Sequence, residues 1–465
     1  MLANIIMREI KHNILSLRLY IAFLLSLVVF EFGTIAFVKN QTDKMSEYKR
    51  YYTQLVEDMR EAAEDNLTSL AIDAKQIIME PRGNTFIDDA KEKYTPNRFW
   101  ASAYYVFGYD VKPGSTNPYL KPFQELNWAF IVSLIISFTV FLFTFDSISG
   151  EKQTGTLAIS LSNPVSRGTL LLGKYISVIF TSFLIILPGL CISLLIILLS
   201  GTVAVTITTI GEILVFLLAV AIFTACIAAI GLLASVLSHS ARTSLLYAIS
   251  FWLVFIIFVP NIAVFWSATM FPIEKAESVE ERIQREREDI NNNAPPGSWS
   301  SSGGNPFLPQ HELRAANQTN LMNSRMRIRN DYINDRLNQF EQVRMTTLVS
   351  PVALFEYMSE AIVGGGYLRF KKVWNDLHVH QEQVLKFFKE KDVNDPASPH
   401  WYNPVEDYST TRKPVNFEEV PVFNENILSV SERFKYFGIY FLILLLYTAG
   451  IFFFTFLRFV KYDVR

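Results

Sequence analysis

Between two long apolar segments lies the polar stretch Phe145-Asp146-Ser147-Ile148-Ser149-Gly150-Glu151-Lys152-Gln153-Thr154-Gly155-Thr156-Leu157. It is followed by Ser162-Asn163-Pro164-Val165-Ser166-Arg167 and by Leu171-Leu172-Gly173-Lys174. Glycine permits backbone turns that other residues avoid, and proline interrupts helices. We therefore expect the chain to leave an apolar layer, turn at Gly150 and Gly155, form a short surface helix and re-enter after Pro164.

The apolar segments are long enough to cross a membrane. Of the 465 residues, 50% are hydrophobic and 18% are charged. A helix of about 20 apolar residues crosses a hydrocarbon core of about 30 Å. Runs of this length lie at about 19–38, 127–145, 174–200, 211–236, 244–266 and 434–457. The sequence thus predicts an all-α polytopic membrane protein with six transmembrane helices.

The first apolar run begins like a signal peptide, because Arg8, Lys11 and Arg18 precede it. A signal peptide has an apolar region of only about 7–15 residues and a cleavage site of small residues, and neither feature fits here. We interpret the run as a retained anchor. The residues from Asn4 to Leu17 have an amphipathic helical pattern, which favours a helix in the membrane interface. A plain extension of the first span is the alternative.

The distribution of basic residues predicts the orientation. Short loops and span ends rich in Lys and Arg face the cytoplasm. One side carries Arg8, Lys11, Arg18, Lys152, Arg167, Lys174, Arg242, Arg458, Lys461 and Arg465, whereas the loop 201–210 has no Lys or Arg. Both termini are therefore expected in the cytoplasm. The predicted parts are 1–38 (interfacial helix and first span), 39–126 (first extracytoplasmic segment), 127–266 (spans two to five, with a cytoplasmic loop at 146–173), 267–433 (second extracytoplasmic segment) and 434–465 (last span and cytoplasmic tail).

The two extracytoplasmic segments contain no cysteine, so a hydrophobic core must hold them. Helical patterns run from Tyr48 to about Met79 and over 274–290, 311–345 and 373–388. The aromatic residues between 99 and 109 fit either a strand or a loop near the membrane. We expect a mainly α domain, with α+β left open. The stripe from Tyr48 to Met59 is expected to pack on the long helix through Leu321, Ile328 and Leu337.

No catalytic or metal-binding constellation stands out. His378 and His380 are two residues apart, but side chains at this spacing diverge on a helix. We interpret both as solvated surface residues. A metal site is the alternative, with Asp376 and Glu382 nearby and His400 later in the chain. The run Gly168–Lys174 matches the G-x-x-x-x-G-K pattern of a phosphate loop, yet Tyr175 replaces the Ser or Thr that binds Mg²⁺. The chain is therefore expected to bind no cofactor itself. The formal net charge of -2 and the lack of a basic cluster argue against nucleic acid.

Acidic residues occur only at the edges of the predicted spans, at Glu31, Asp146 and Glu212. Ion-coupled transporters keep ionisable groups deep in their spans as relays. If the protein moves anything, the energy must come from another source.

The polar loop resembles the hallmark of ABC-2 type transporter permeases, in which D-x-x-x-G-E-x-x-x-G-T is followed by P-V-S-R and L-L-G-K. A second element, Ser350-Pro351 with Gly364-Gly365-Gly366, is similar to one ahead of the last span in permeases with a large outer domain, such as those of gliding motility. A plain turn between two external helices is the alternative for this second element.

The resemblance implies a non-catalytic subunit in which the helix from Glu151 to Ser162 couples to separate cytoplasmic ATPase subunits that bind ATP and Mg²⁺. The implied coupling residues are Gly150, Glu151, Thr154, Gly155, Thr156, Pro164, Arg167 and Arg242. Interfacial anchoring is the alternative for Glu151, Lys152 and Arg167. A second copy or a related permease would complete the transporter in a bacterial cytoplasmic membrane. Either the complex exports a substrate, or it moves an envelope partner without transport.

Overall fold

The computed structural model describes residues 2–72, 75–92, 95–101, 106–110, 126–162, 164–296, 310–393 and 413–461. The helices are α1 (Leu2–Ile14), α2 (Leu17–Asp65), α3 (Leu67–Ile72), α4 (Trp128–Phe130), α5 (Ser137–Thr144), α6 (Ser149–Thr154), α7 (Thr156–Ser162), α8 (Arg167–Ser200), α9 (Ile207–Leu237), α10 (Ala241–Trp252), α11 (Val259–Met270), α12 (Ala276–Asn292), α13 (Gln310–Thr347), α14 (Pro351–Val363), α15 (Gly366–Val393) and α16 (Val430–Val460). The strands are β1 (Lys75–Ile78), β2 (Arg98–Ala101) and β3 (Val106–Asp110). π-Helical segments join α4 to α5 (Ile131–Ile136) and α10 to α11 (Leu253–Phe258), and a 3₁₀ turn covers Phe417–Glu419.

Among the described residues, six helices are long and apolar enough to cross a membrane. They are Leu17–Asp65, Trp128–Thr154, Arg167–Ser200, Ile207–Leu237, Ala241–Met270 and Val430–Val460. Their positions match the six apolar runs of the sequence. The prediction of an all-α polytopic membrane protein is confirmed.

Helix α2 is much longer than a span. Its 49 residues run without interruption from Leu17 to Asp65, a length of about 74 Å at about 1.5 Å per residue. No glycine or proline follows Gly33 within this helix, so nothing in the backbone ends it at residue 38. The helix does end at Asp65, and the prediction that it continues to about Met79 is wrong. Residues 75–78 form strand β1 instead.

The three strands form an antiparallel sheet in the order β1-β2-β3. Phe99 of β2 pairs with Ile77 of β1 and with Tyr109 of β3. Phe99 is fully buried, whereas its neighbour Trp100 is half-buried, as expected for the two faces of a strand. Of the two structures left open for the aromatic patch, the strand is therefore the one observed. Tyr104 and Tyr105 of that patch lie outside the described residues.

The segments 39–126 and 267–433 share their hydrophobic cores. One core joins Ile77 and Phe99 of the sheet to residues of α13 and α15, among them Leu337 and Trp374. A second core joins Met59 of α2 to Phe388 of α15. The stripe on α2 thus packs against α15 rather than α13, which corrects the expected pairing. Ile328 of α13 packs on α12 instead.

Helix α14 has 13 residues, too few to cross a membrane, and yet most of its side chains are buried. It packs against α9 and α16. The ring of Phe355 stacks on Phe223 of α9 with 4.6 Å between centroids. Its N-cap, Ser350, donates to the carbonyl oxygen of Phe255 in the middle of the fifth span, at 3.0 Å. The Ser350–Gly366 element is therefore a helix inserted among the spans, and not a plain turn between external helices.

Candidate functional site

The loop 146–173 contains two short helices separated at Gly155, which corrects the expectation of a single helix from Glu151 to Ser162. Helix α6 ends at Gly155, whose φ of 72° is left-handed, and α7 starts at the next residue. The turn predicted at Gly155 is confirmed. Gly150 lies inside α6 instead, because the chain already turns at residues 145–148. After Pro164, Ser166 caps α8 by accepting from the amide of Thr169 at 3.1 Å.

Helix α6 is fastened to the ends of two spans. The amides of Ile148 and Ser149 both donate to Oγ of Ser235 near the end of α9, at 2.9 and 3.0 Å. Lys152 Nζ donates to the last carbonyls of the same helix, Val236 at 2.6 Å and Ser238 at 3.1 Å. A cation suits the negative end of a helix dipole.

Helix α6 also contacts the start of α10. There the Oε1 atom of Gln153 accepts from the backbone amide of Ala241 at 3.1 Å. Displacing α6 must therefore move the ends of α9 and α10 with it.

Helix α7 has one buried and one exposed face. Leu157 is 2% exposed and packs with Ile148, Leu171 and Val236 under the loop. Ile159 is 67% exposed, an apolar side chain presented to the surroundings. Thr154, Gly155, Thr156 and Pro164 are exposed as well. Sequence reasoning missed Ile159, although residues two apart on a helix face opposite ways, so one of Leu157 and Ile159 had to be outside.

Glu151 points inward from α6. Its carboxylate lies 2.9 Å from Nζ of Lys174 and 3.8 Å from Arg8. Lys174 is only 2% exposed, and it also contacts Glu9 of α1 at 3.2 Å. This cluster of two acids and two bases joins α1, α6 and α8.

The cluster in turn shifts the pKa values of two side chains of α1, Glu9 and Arg8. Burial by itself raises the pKa of Glu9, but Lys174 and Arg8 outweigh that effect and hold the pKa below its ordinary value. The hydrogen bond to Glu9 raises the pKa of Arg8. Both groups are charged at neutral pH, and the cluster ties α1 to the loop electrostatically.

The remaining predicted coupling residues differ in their surroundings. Arg167 Nη1 donates to the carbonyl oxygen of Val460 at 2.5 Å, at the end of α16. Arg242 is exposed in the first turn of α10. Gly150 is half-buried within α6. The exposed residues of the predicted set are Thr154, Gly155, Thr156, Pro164 and Arg242, while Glu151 and Arg167 bind within the chain.

The phosphate-loop match is a regular helix. The residues from Gly168 to Lys174 lie inside α8, and Lys174 is paired with acids. A β-carbon at Gly173 would come within 2.6 Å of Ile5, so this glycine allows α1 to approach α8 closely. Gly173 is thus explained by packing.

The two histidines of α15 are half-buried, which corrects the interpretation of both as solvated. His378 Nδ1 lies 2.7 Å from the carbonyl oxygen of Trp374. The ring of His380 packs on Phe423 with 5.6 Å between centroids, and burial lowers its pKa to about 4. Within the described residues, no group of three or more His, Cys, Asp or Glu is placed to hold a metal ion. His400 lies outside those residues.

A comparison with protein families matches residues 3–372 to the model described as ABC-2 family transporter protein. The matched range contains the loop 146–173 and the first five spans. The comparison with curated proteins finds no match. Membership in this family implies a membrane subunit that partners with ABC ATPase subunits. The chain belongs to the ABC-2 family of transporter proteins and is a multi-pass membrane permease of that family.

Proposed function

We propose that the protein is the permease subunit of an ABC exporter, in which ATP hydrolysis by separate subunits moves a substrate out of the cell. The observation that carries this proposal is the pair α6 and α7. Helix α7 presents an exposed face with Ile159, and α6 is bonded to the ends of α9 and α10. An ATPase that pushes on α7 would thereby move two spans.

Within this proposal the polar residues of the loop have two roles. Thr154, Thr156, Ile159 and Arg242 form the ATPase-facing surface. Glu151 and Arg167 act inside the chain, because they bind Lys174 and the end of α16. ATP and Mg²⁺ would be bound by the ATPase partner, and a second copy or a related permease would complete the transporter.

The same proposal fixes the orientation. The loop 146–173 and both termini face the cytoplasm of a bacterial cell. The segments 39–126 and 267–433 lie on the opposite side, except for α14, which is inserted among the spans. The likeness of Ser350–Gly366 to gliding-motility permeases belongs to this proposal as well. It is supported by the packing of α14 against α9 and against the last span, α16.

Mechanical transmission without transport is the second candidate. It is favoured by the continuous α2, which extends from the membrane to the core around Met59. At the end of the bundle away from the loop, Glu212 of α9 and Arg433 of α16 form an ion pair of 2.5 Å. Arg433 also donates to the carbonyl oxygen of Ile362 in α14, at 2.9 Å. Movement of α9 would reach the outer segments through these contacts.

The ATPase-facing surface can be tested with one exposed side chain. We expect Ile159→Ser to weaken both co-purification with the ATPase and stimulation of ATP hydrolysis, by about tenfold for an apolar anchor at an interface centre. Leu15→Ser is the matched control, since Leu15 is 80% exposed between α1 and α2. Equal ATPase binding by the two variants would contradict the assignment of α7.

A further inference from the structure

A cavity of about 680 Å³ lies in the segments attached to the spans. Its walls are α2, β1, α15 and the chain from Val420 to Leu428, and its floor includes Glu212 and Arg433. Pockets that bind small organic molecules have volumes of about 300–1,000 Å³. The cavity is therefore of a size to hold one such molecule above the ends of α9 and α16.

The end of the cavity away from the spans is apolar. It is lined by Leu55 and Met59 of α2 and by Val384 and Phe388 of α15. His380 also lines the wall, and burial lowers its pKa to about 4, so its ring is neutral. From Tyr48 to Met59, α2 extends along the cavity for about 16 Å at about 1.5 Å per residue. The part of this wall from Leu55 to Met59 suits a hydrocarbon chain, whereas Tyr48 lies among Glu80, Arg369 and Glu425.

The end next to the spans is polar and held rigidly. Arg433 contacts Glu212 at 2.5 Å, and Asn84 Nδ2 donates to the same carboxylate at 3.0 Å. Arg82 pairs with Glu92 at 2.7 Å and donates through Nη1 to the carbonyl oxygen of Val363. These bonds fix the side chains in place before any ligand arrives.

Three buried polar atoms at this end have no hydrogen-bond partner among the described residues. They are the donors Arg82 Nη2 and Arg433 Nε and the acceptor Asn84 Oδ1. All three residues line the cavity. Buried polar groups in native proteins are nearly always paired, so an unpaired set at one place indicates a missing partner. Two guanidinium donors pair best with anionic oxygen atoms.

We propose that this cavity binds a single-chain anionic amphiphile, with its oxygen-bearing head at Arg82, Arg433 and Asn84 and its hydrocarbon chain along α2 and α15. The head supplies acceptor oxygens to the two arginines, and a hydroxyl on it donates to Asn84. Ile427 lines the cavity beside the floor and is 79% exposed, which gives an apolar entrance next to the spans. The proposed binding does not depend on the orientation of the protein in the membrane. Only the expectation that the amphiphile enters from the outer leaflet rests on the proposed orientation.

Photo-crosslinking of the full-length protein in lipid nanodiscs tests this binding. The probe is dodecyl phosphate that carries a diazirine on its terminal carbon, and the labelled residues are identified by mass spectrometry. We expect labelling near Met59 and Phe388 that unlabelled dodecyl phosphate displaces. The readout requires no ATPase, so its failure is separate from a failure of the exporter assignment.

Two variants of α15 form a matched pair. Val384→Trp fills the apolar end and should reduce labelling by about tenfold. Val379→Trp on the same helix, at a site that is 52% exposed and outside the cavity, should leave labelling unchanged. Equal labelling of the two variants would overturn the proposal.

The head group is tested by Arg433→Lys, which keeps a cation beside Glu212 but removes the Nε donor. Loss of one charge-assisted hydrogen bond should weaken displacement by dodecyl phosphate about tenfold. An unchanged affinity in this variant, or equal displacement by neutral dodecyl maltoside, would refute recognition of the head. Equal displacement by inorganic phosphate would refute the claim that the hydrocarbon chain contributes to binding.

Discussion

At the scale of single residues, Asp88 is the most informative titratable group. Its side chain is 7% exposed, and Oδ1 accepts from the amide of Ala90 at 2.8 Å. Ala90 and the next residue, Lys91, both have positive φ, so this bond holds a turn that non-glycine residues rarely adopt. Burial, with the charge of Asp89 in addition, raises the pKa of Asp88 well above its ordinary value.

The raised pKa gives a prediction with a definite sign. The stability that the protonated carboxyl contributes is fully present below the unfolded-state pKa of about 4 and is lost as the pH rises through the folded-state pKa. Asp88→Asn keeps the acceptor and avoids the charge, so its Tm should exceed that of the wild type at pH 8 and converge with it near pH 4. Asp58→Asn, at an exposed site, is the control. A Tm difference that does not vary with pH would contradict this account.

Residue contacts across the chain were beyond prediction from the sequence. The loop pattern singled out Glu151, but its partner Lys174 is 23 positions away and Glu9 lies in another helix. Only the packing of α1 on α8 brings these groups together. The same is true of Arg167, whose acceptor is at the far end of the chain.

At the scale of elements, the joint between α6 and α7 rests on Gly155. Its φ is 72°, and a β-carbon there would meet no atom within 4 Å. Substitution should therefore carry only a backbone cost, about 1–2 kcal/mol for alanine. Asparagine tolerates this conformation better. We expect Gly155→Ala to lower the Tm and the ATPase stimulation, and Gly155→Asn to do so less. A larger loss in Gly155→Asn than in Gly155→Ala would show that the added side chain, and not the backbone conformation, determines the effect.

Elements defined by local pattern were predictable, and those defined by distant partners were not. Six spans follow from hydropathy alone, and α12, α13 and α15 follow from helical periodicity. Strand β1 has no such local signal, because it depends on pairing with β2 some 20 positions later. Helix α14 was equally hidden, since its 13 residues are shorter than a span and its burial depends on α9 and α16.

At the scale of the whole molecule, the shared cores explain how two insertions form one body. Neither 39–126 nor 267–433 has a complete core, since Phe99 packs with Trp374 and Met59 with Phe388. Absence of cysteine pointed to a hydrophobic core, and this inference is consistent with the two clusters. The choice of partner helix was wrong because a broken apolar stripe on α13 matches several neighbours equally well.

The proposed orientation makes a prediction about the whole chain. Thr53→Cys on α2 and Gln383→Cys on α15 lie at exposed sites of the segments 39–126 and 267–433, and Gln153→Cys lies at an exposed site of α6. In spheroplasts a membrane-impermeant thiol reagent should label the first two and spare the third.

Background labelling should be low, because Cys226 is buried and Cys191 lies within the span α8. Permeabilised cells provide the control, in which Gln153→Cys must become reactive. Its labelling in intact spheroplasts would place the loop 146–173 outside the cell, where no ATPase could push on α7. That single result would remove the proposed coupling, because every contact that ties α6 to the ends of α9 and α10 would then face the wrong compartment.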